Sequence, residues 1–348
     1  MTSRILCFTE YARLVKRNSG GNMKRIICIL LCALTAALSF CGCSGGENKE
    51  NIKLSVVTTI FPIYDWVKNI AADSDIDIYM LQDEGVDFHS YQPTADDMIK
   101  ISSCDLFIYV GGESDKWIDD ALKNASNPNM KVLDLFDALG DNKLKTEKLV
   151  EGMEAEDKGD LDSDEAEDEA EYDEHIWLSV RIAGDVCQKI RDSLSSLDEA
   201  NKAIYSENCE KYTSSLAELD EKYKNTIGKA KNNTLVFGDR FPFRYLADDY
   251  RLNYYAAFAG CSSETEASFE TVAFLADKLD ELGLDAVLTI EGSDQKLAKT
   301  IIEASNTKDA EIITVNSMQS VTKAELDNGY NYISVMEKNL SAFENALS

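Results

Sequence analysis

Eight short apolar runs, each rich in β-formers, recur along this chain with helix-like stretches between them. The first four are Leu54–Thr58, Ile76–Leu81, Leu106–Val110 and Lys131–Leu135. The second four are Thr234–Phe237, Asn253–Phe258, Ala286–Ile290 and Glu311–Val315. Runs of this length separated by 15–25 residues leave room for a crossover helix, which is what joins parallel neighbours. The rhythm predicts an α/β protein with two sets of βα units, each a mainly parallel sheet of about four strands.

The texture changes between the two sets. Residues Trp177–Ser195 read as helix, and Asp198 then reads as the N-cap of a much longer one running to about Ala230. Ile204, Tyr212, Leu216, Leu219, Tyr223 and Ile227 recur along one face of it. Over that span the helix would be about 50 Å long, enough to cross between two lobes and fix their separation. The expected organisation is a first lobe at 53–176, a helical region at 177–231 and a second lobe at 232–348.

Residues 1–45 carry no fold signal. Lys24-Arg25 followed by the apolar stretch Ile26–Leu38 has the charge and length of an export signal, with Met23 as its natural start. Gly42-Cys43-Ser44-Gly45-Gly46 then looks like a bacterial lipoprotein cleavage site, with Cys43 as the lipidated residue and the small residues as a tether. Of nine cysteines, that leaves Cys104, Cys187, Cys209 and Cys261 in the folded part. An even number in an exported domain permits disulfides; Cys104, just ahead of a strand, reads as a packed apolar residue.

The formal net charge is −28, from 63 Asp and Glu against 35 Lys and Arg. That balance excludes a nucleic-acid binder, which needs a basic face. Nearly half of it is local: residues 151–174 hold 14 Asp and Glu and one Lys, a charge of −13. Such a segment reads as a solvated, self-repelling loop, or as a weak collector of cations.

The chain has two histidines, His89 and His175. Sites needing three or four imidazoles on one metal are thereby excluded. His89 lies in Asp87-Phe88-His89-Ser90-Tyr91-Gln92-Pro93-Thr94, after the second run; His175 lies in Asp173-Glu174-His175-Ile176-Trp177-Leu178-Ser179, at a helix start. Both positions open toward the carboxyl edge of a parallel sheet, where α/β proteins bind ligands. A neutral imidazole with a neighbouring carboxylate is a good ligand for Zn²⁺ or Mn²⁺.

These two motifs, with Tyr109-Val110-Gly111-Gly112 and Trp117, resemble the zinc- and manganese-binding lipoproteins of ABC importers, the helix-linked class of solute-binding proteins. The resemblance spans nearly all of the chain after the export signal. It implies two βα lobes joined by one rigid helix with the metal between them, and His89 and His175 as the first-lobe ligands. In the second lobe it departs from the family pattern. The position expected to carry a third ligand is Gly238, leaving Asp239 beside it as a substitute oxygen donor. The last family ligand is a carboxylate after a strand; Glu291, which ends its run directly, is preferred over Asp294. The implied role is capture of a divalent metal, Zn²⁺ first and Mn²⁺ next, for an ABC permease, by a monomeric, non-enzymatic lipoprotein on the outer face of the cytoplasmic membrane. Two other functions fit the same residues: a metallohydrolase using an open water position, and a surface adhesin whose metal site is degenerate.

Overall fold

All eight runs are strands, and all eight are parallel to their neighbours. The computed structural model describes residues 53–154, 171–262 and 266–348; the segment expected to direct export, with Cys43, and most of the acidic segment lie outside the described residues. The first lobe runs β1 (Leu54–Thr58), α1 (Phe61–Ile70), β2 (Ile76–Met80), α2 (Ala95–Ser103), β3 (Leu106–Tyr109), α3 (Ile118–Lys123), β4 (Lys131–Asp134) and α4 (Leu135–Leu139), with strand order β2-β1-β3-β4. Two helices follow, α5 (Val180–Leu197) and α6 (Lys202–Ile227). The second lobe runs β5 (Thr234–Phe241), α7 (Arg244–Tyr250), β6 (Asn253–Ala259), α8 (Phe269–Leu282), β7 (Ala286–Ile290), α9 (Lys296–Ala304), β8 (Glu311–Val315), α10 (Lys323–Asp327) and α11 (Tyr332–Ala346), in order β6-β5-β7-β8. In each sheet the order reverses beside the first strand, at β1/β3 and at β5/β7. That reversal opens a crevice at the carboxyl ends of the strands.

Helix starts follow local chemistry. Thr94 and Asp97 form a reciprocal capping box on α2, and Ser179, Ser268 and Asn331 each accept a backbone N–H at the start of α5, α8 and α11. Asp198 does cap, but it caps a short 3₁₀ turn at Glu199–Asn201 ahead of α6. The long helix therefore has 26 residues, about 39 Å at 1.5 Å each.

Its sequence has neither Gly nor Pro inside it, and its buried stripe is Tyr205, Cys209, Tyr212, Leu216, Leu219, Tyr223 and Ile227. The stripe enters through Tyr205 and Cys209 rather than Ile204, which is only half-buried. One end of α6 is tied to the first lobe: Asn208 donates to the carbonyls of Ile70 and Ala72, and Tyr212 Oη–H to Asp65. The other end is tied to the second, where Tyr223 Oη–H donates to Met336 O. Asp65 also accepts the backbone N–H of Tyr332, so one carboxylate joins α1, α6 and α11. Trp66 and Tyr332, both fully buried, pack edge-on beside it; each such aromatic contributes about 2–3 kcal/mol of burial.

All four described cysteines are free thiols. Cys104 is buried and packs on Ile101 and Met130, as expected of a small apolar residue. Cys187 and Cys209 are buried where α5 meets α6, with Cys209 Sγ 3.5 Å from Cys187 O. Among the described residues no helix is long and apolar enough to cross a membrane.

Candidate metal centre

Each histidine is held by the aspartate two residues before it. Asp87 caps the turn Phe88–Ser90, its Oδ1 accepting the His89 backbone N–H at 3.0 Å. Asp173 Oδ1 accepts both the His175 backbone N–H and the ring Nδ1–H, each at 2.9 Å, and the uncapped turn Ile176–Leu178 follows. His175 is fully buried. Across 86 residues of sequence the two rings are brought to 3.2 Å, Nε2 to Nε2.

The surrounding network assigns the tautomers. His89 Nδ1–H donates to Ser114 Oγ at 2.9 Å, and Ser114 Oγ–H donates on to Glu174 Oε2 at 2.6 Å. The Ser114 backbone N–H holds the other oxygen of Glu174 at 2.7 Å. With both Nδ1 atoms protonated, both Nε2 lone pairs face the cleft. Two lone pairs this close need a donor between them. Gln319 supplies it: its Nε2 lies 2.8 Å from His89 Nε2 and 2.6 Å from His175 Nε2, one N–H for each ring. In this orientation its Oε1 lies 2.8 Å from Ser317 Oγ, whose one proton it shares with Glu291.

Glu291 stands behind that amide. Its carboxylate accepts Ser317 N–H and Ser317 Oγ–H at 2.6 Å each and Gln319 N–H at 3.2 Å. Burial pushes its carboxyl above the ordinary value despite those bonds. For Glu174 burial pushes the same way, but the bonds from His89 and Ser114 outweigh it and hold the group below the ordinary value. Asp294 is exposed and caps Lys296. Asp239 gives one oxygen to Arg240 N–H at 2.8 Å and the other to Ile290 N–H at 3.3 Å. Beside it, Arg240 reaches the first lobe and pairs with Asp87 at 2.8 Å. That pair wins over burial and lowers the Asp87 pKa.

Two glycines explain how the walls close so tightly. A Cβ on Gly112, which has φ +95°, would lie 2.5 Å from Glu174 Oε1. A Cβ on Gly238 would lie 2.7 Å from Ala298 Cα on α9; that position serves strand–helix packing. β5 bulges between Phe237 and Arg240, and this is what carries Asp239 and Arg240 to the rim, beyond the predicted end of the strand.

The structure thus brings His89 and His175 together, with Glu291 linked to them through Ser317 and Gln319, and Asp239 one residue removed through Arg240. Sequence reasoning missed Gln319 and Cys261. Among the described residues, the group of three or more potential ligands is His89, His175 and Cys261, whose ligand atoms all lie within 4.8 Å of one another. Burial, with Asp173, Glu147 and Glu174 nearby, holds the Cys261 thiol well above its ordinary pKa. Its position directly after β6, at the carboxyl edge of a parallel sheet, was the available signal.

Two parallel βα lobes carried on one unbroken helix, with paired imidazoles between them, are the architecture that the sequence resemblance implies. The chain belongs to the family described as zinc-uptake complex component A, periplasmic (ZnuA), whose model matches residues 56–346. It is 32% identical over 322 residues to the zinc-binding lipoprotein AdcA of Streptococcus pneumoniae, covering 92% of this chain and 61% of that protein. It is 30% identical over 314 residues to the high-affinity zinc uptake system protein ZnuA of Bacillus subtilis, covering 90% of this chain and 94% of that one. The chain spans about three fifths of the AdcA relatives it matches. The solved Zn(II)-bound ZnuA-like domain of Streptococcus pneumoniae AdcA superposes with a TM-score of 0.64 at 28% identity, covering 85% of this chain and 99% of that domain.

Proposed function

We propose that this protein is an extracytoplasmic receptor, held at the membrane by a lipid on Cys43, that captures Zn²⁺ between its lobes and passes it to an ABC permease. The observation that carries the reading is the pair of Nε2 atoms 3.2 Å apart, each oriented by its own acidic partner and each facing the cleft. This is the arrangement in which imidazoles bind a transition ion, with the second ring nitrogen fixed by hydrogen bonds. His89 and His175 are the first-lobe ligands. Glu291 is the second-lobe carboxylate of the site; it grips the turn bearing Gln319 and becomes available to the ion as that turn gives way. Asp239 acts one step further out, setting Arg240 against Asp87. The relatives named for zinc binding and zinc uptake support Zn²⁺ as the cargo.

Titration of the whole chain with Zn²⁺, followed by calorimetry, tests this. The wild type takes up one ion per chain, and His89→Ala and His175→Ala each weaken it by two orders of magnitude or more, to about a hundredth of the affinity. Unchanged affinity in both variants removes the site assignment.

A further inference from the structure

We propose that Cys261 is a metal ligand, closing a His₂Cys site from the second lobe that favours thiophilic Zn²⁺ over Mn²⁺. This rests on the receptor reading above and concerns which atoms define its cargo.

Geometry comes first. The Cys261 sulfur and one ring nitrogen from each of His89 and His175 all lie within 4.8 Å of one another. In a tetrahedral zinc site, with Zn–N near 2.0–2.1 Å and Zn–S near 2.3 Å, ligand atoms stand about 3.3–3.8 Å apart. The two imidazoles are already at that spacing. Reaching an N···S spacing of about 3.6 Å takes an inward shift of no more than roughly 1.2 Å. The sulfur stands 3.9 Å from Glu174 Oε2, too far for a firm hydrogen bond. The thiol is held only by weak contacts with Glu174, and it is not in a disulfide.

The loop that carries it is built for close approach. A Cβ on Gly260 would sit 3.0 Å from His175 Cε1 and 2.9 Å from Phe241 O, so glycine there lets the backbone lie against the imidazole. The Cys261 backbone N–H is then pinned by Glu147 Oε1 at 3.1 Å. Two first-lobe imidazoles and one second-lobe thiolate bridge the cleft, and the fourth corner is where the Gln319 amide now contacts both rings.

Chemistry then sets the preference. Mn²⁺, Mg²⁺ and Ca²⁺ favour oxygen, while thiolate with imidazole suits Zn²⁺ and Co²⁺. As the metal–sulfur bond forms, the thiol proton is released to solvent. A His₂ site completed only by carboxylates would lack this discrimination.

The test uses the whole chain and Co²⁺ as probe. Stoichiometric Co²⁺ should give the near-ultraviolet thiolate-to-cobalt charge-transfer band, displaced by Zn²⁺ and absent in Cys261→Ser. In competition titrations Cys261→Ser should lose about 100-fold in Zn²⁺ affinity and change little, within about threefold, for Mn²⁺. Alkylation of the wild type, mapped by peptide mass, needs no variant to fold: Zn²⁺ should protect Cys261. A wild type that binds Co²⁺ and Zn²⁺ without the band, and without protection of Cys261, overturns the ligand and leaves the receptor standing. A wild type that binds neither ion stoichiometrically overturns the receptor reading itself, and the ligand with it.

Discussion

Gln319 Nε2 lies 2.6 Å from His175 Nε2 and donates a hydrogen bond to it, across 144 residues of sequence and from the opposite lobe. The same amide serves His89 at 2.8 Å. A neutral side chain thus competes for the lone pairs a cation would use. Removing it should strengthen metal binding. Each of the two bonds contributes about 0.5–1.5 kcal/mol, about 1–3 kcal/mol together, so Gln319→Ala should bind Zn²⁺ tighter by at least roughly fivefold. A weaker affinity in calorimetry would mean that the amide oxygen assists the ion.

Asp173 touches no cargo position; it orients His175 through both the backbone and Nδ1. Outer partners of this kind typically matter by 10–100-fold in metal affinity. Asp173→Asn should show a loss in that range. The folded state should survive, which near-ultraviolet circular dichroism would report.

Gly112 is held at φ +95° with Glu174 filling the space a side chain would need. Gly112→Ala combines a strained backbone with a displaced carboxylate. It should cost about 1–3 kcal/mol of stability and weaken Zn²⁺ binding, because Glu174 and Ser114 orient His89. A melting temperature equal to the wild type would show that the loop relaxes freely.

Asp115 is buried with one oxygen accepting Val110 N–H and Gly111 N–H, and the other without a partner. Burial, aided by the Glu174 charge, pushes its pKa from 3.8 up to about 7. A raised carboxyl pKa means the folded chain holds the proton that the unfolded chain releases. This group's contribution is therefore full below pH 4 and is lost as pH rises toward 7, at up to about 1.4 kcal/mol per pH unit. Asp115→Asn keeps the acceptor without the titration. Its stability relative to the wild type should rise from pH 4 to 7 in denaturant unfolding; parallel profiles would contradict the protonated assignment.

The fold was legible because strands covered by helices on both faces read as continuous apolar runs, and β1, β7 and β8 end where those runs end. The long helix was legible from its stripe, although a 3₁₀ turn shortened its start. β5 was not read to its end, because Gly238-Asp239-Arg240 resembles a turn and only the bulge against β6 keeps it in the sheet. In the site, His89 and His175 stood out through scarcity and through their positions at strand and helix edges. Gln319 could not: it is a neutral side chain in a loop, and its role exists only once Ser317 and Glu291 fold that loop against the first lobe. Cys261 was masked by its company, since four cysteines in an exported domain suggest disulfides first.

Helix α6 crosses both lobes without Gly, Pro or a break, and Asp65 fastens it to α1 and α11. A frame braced in this way has little articulation to spend on reporting whether it is full. A permease distinguishing loaded from unloaded receptor would have to read the rim, where Phe88 N–H donates to Gln319 O and Gly85 N–H to Val321 O. On the proposed reading, the message is local relief a few residues wide, carried by the turn that bears Gln319.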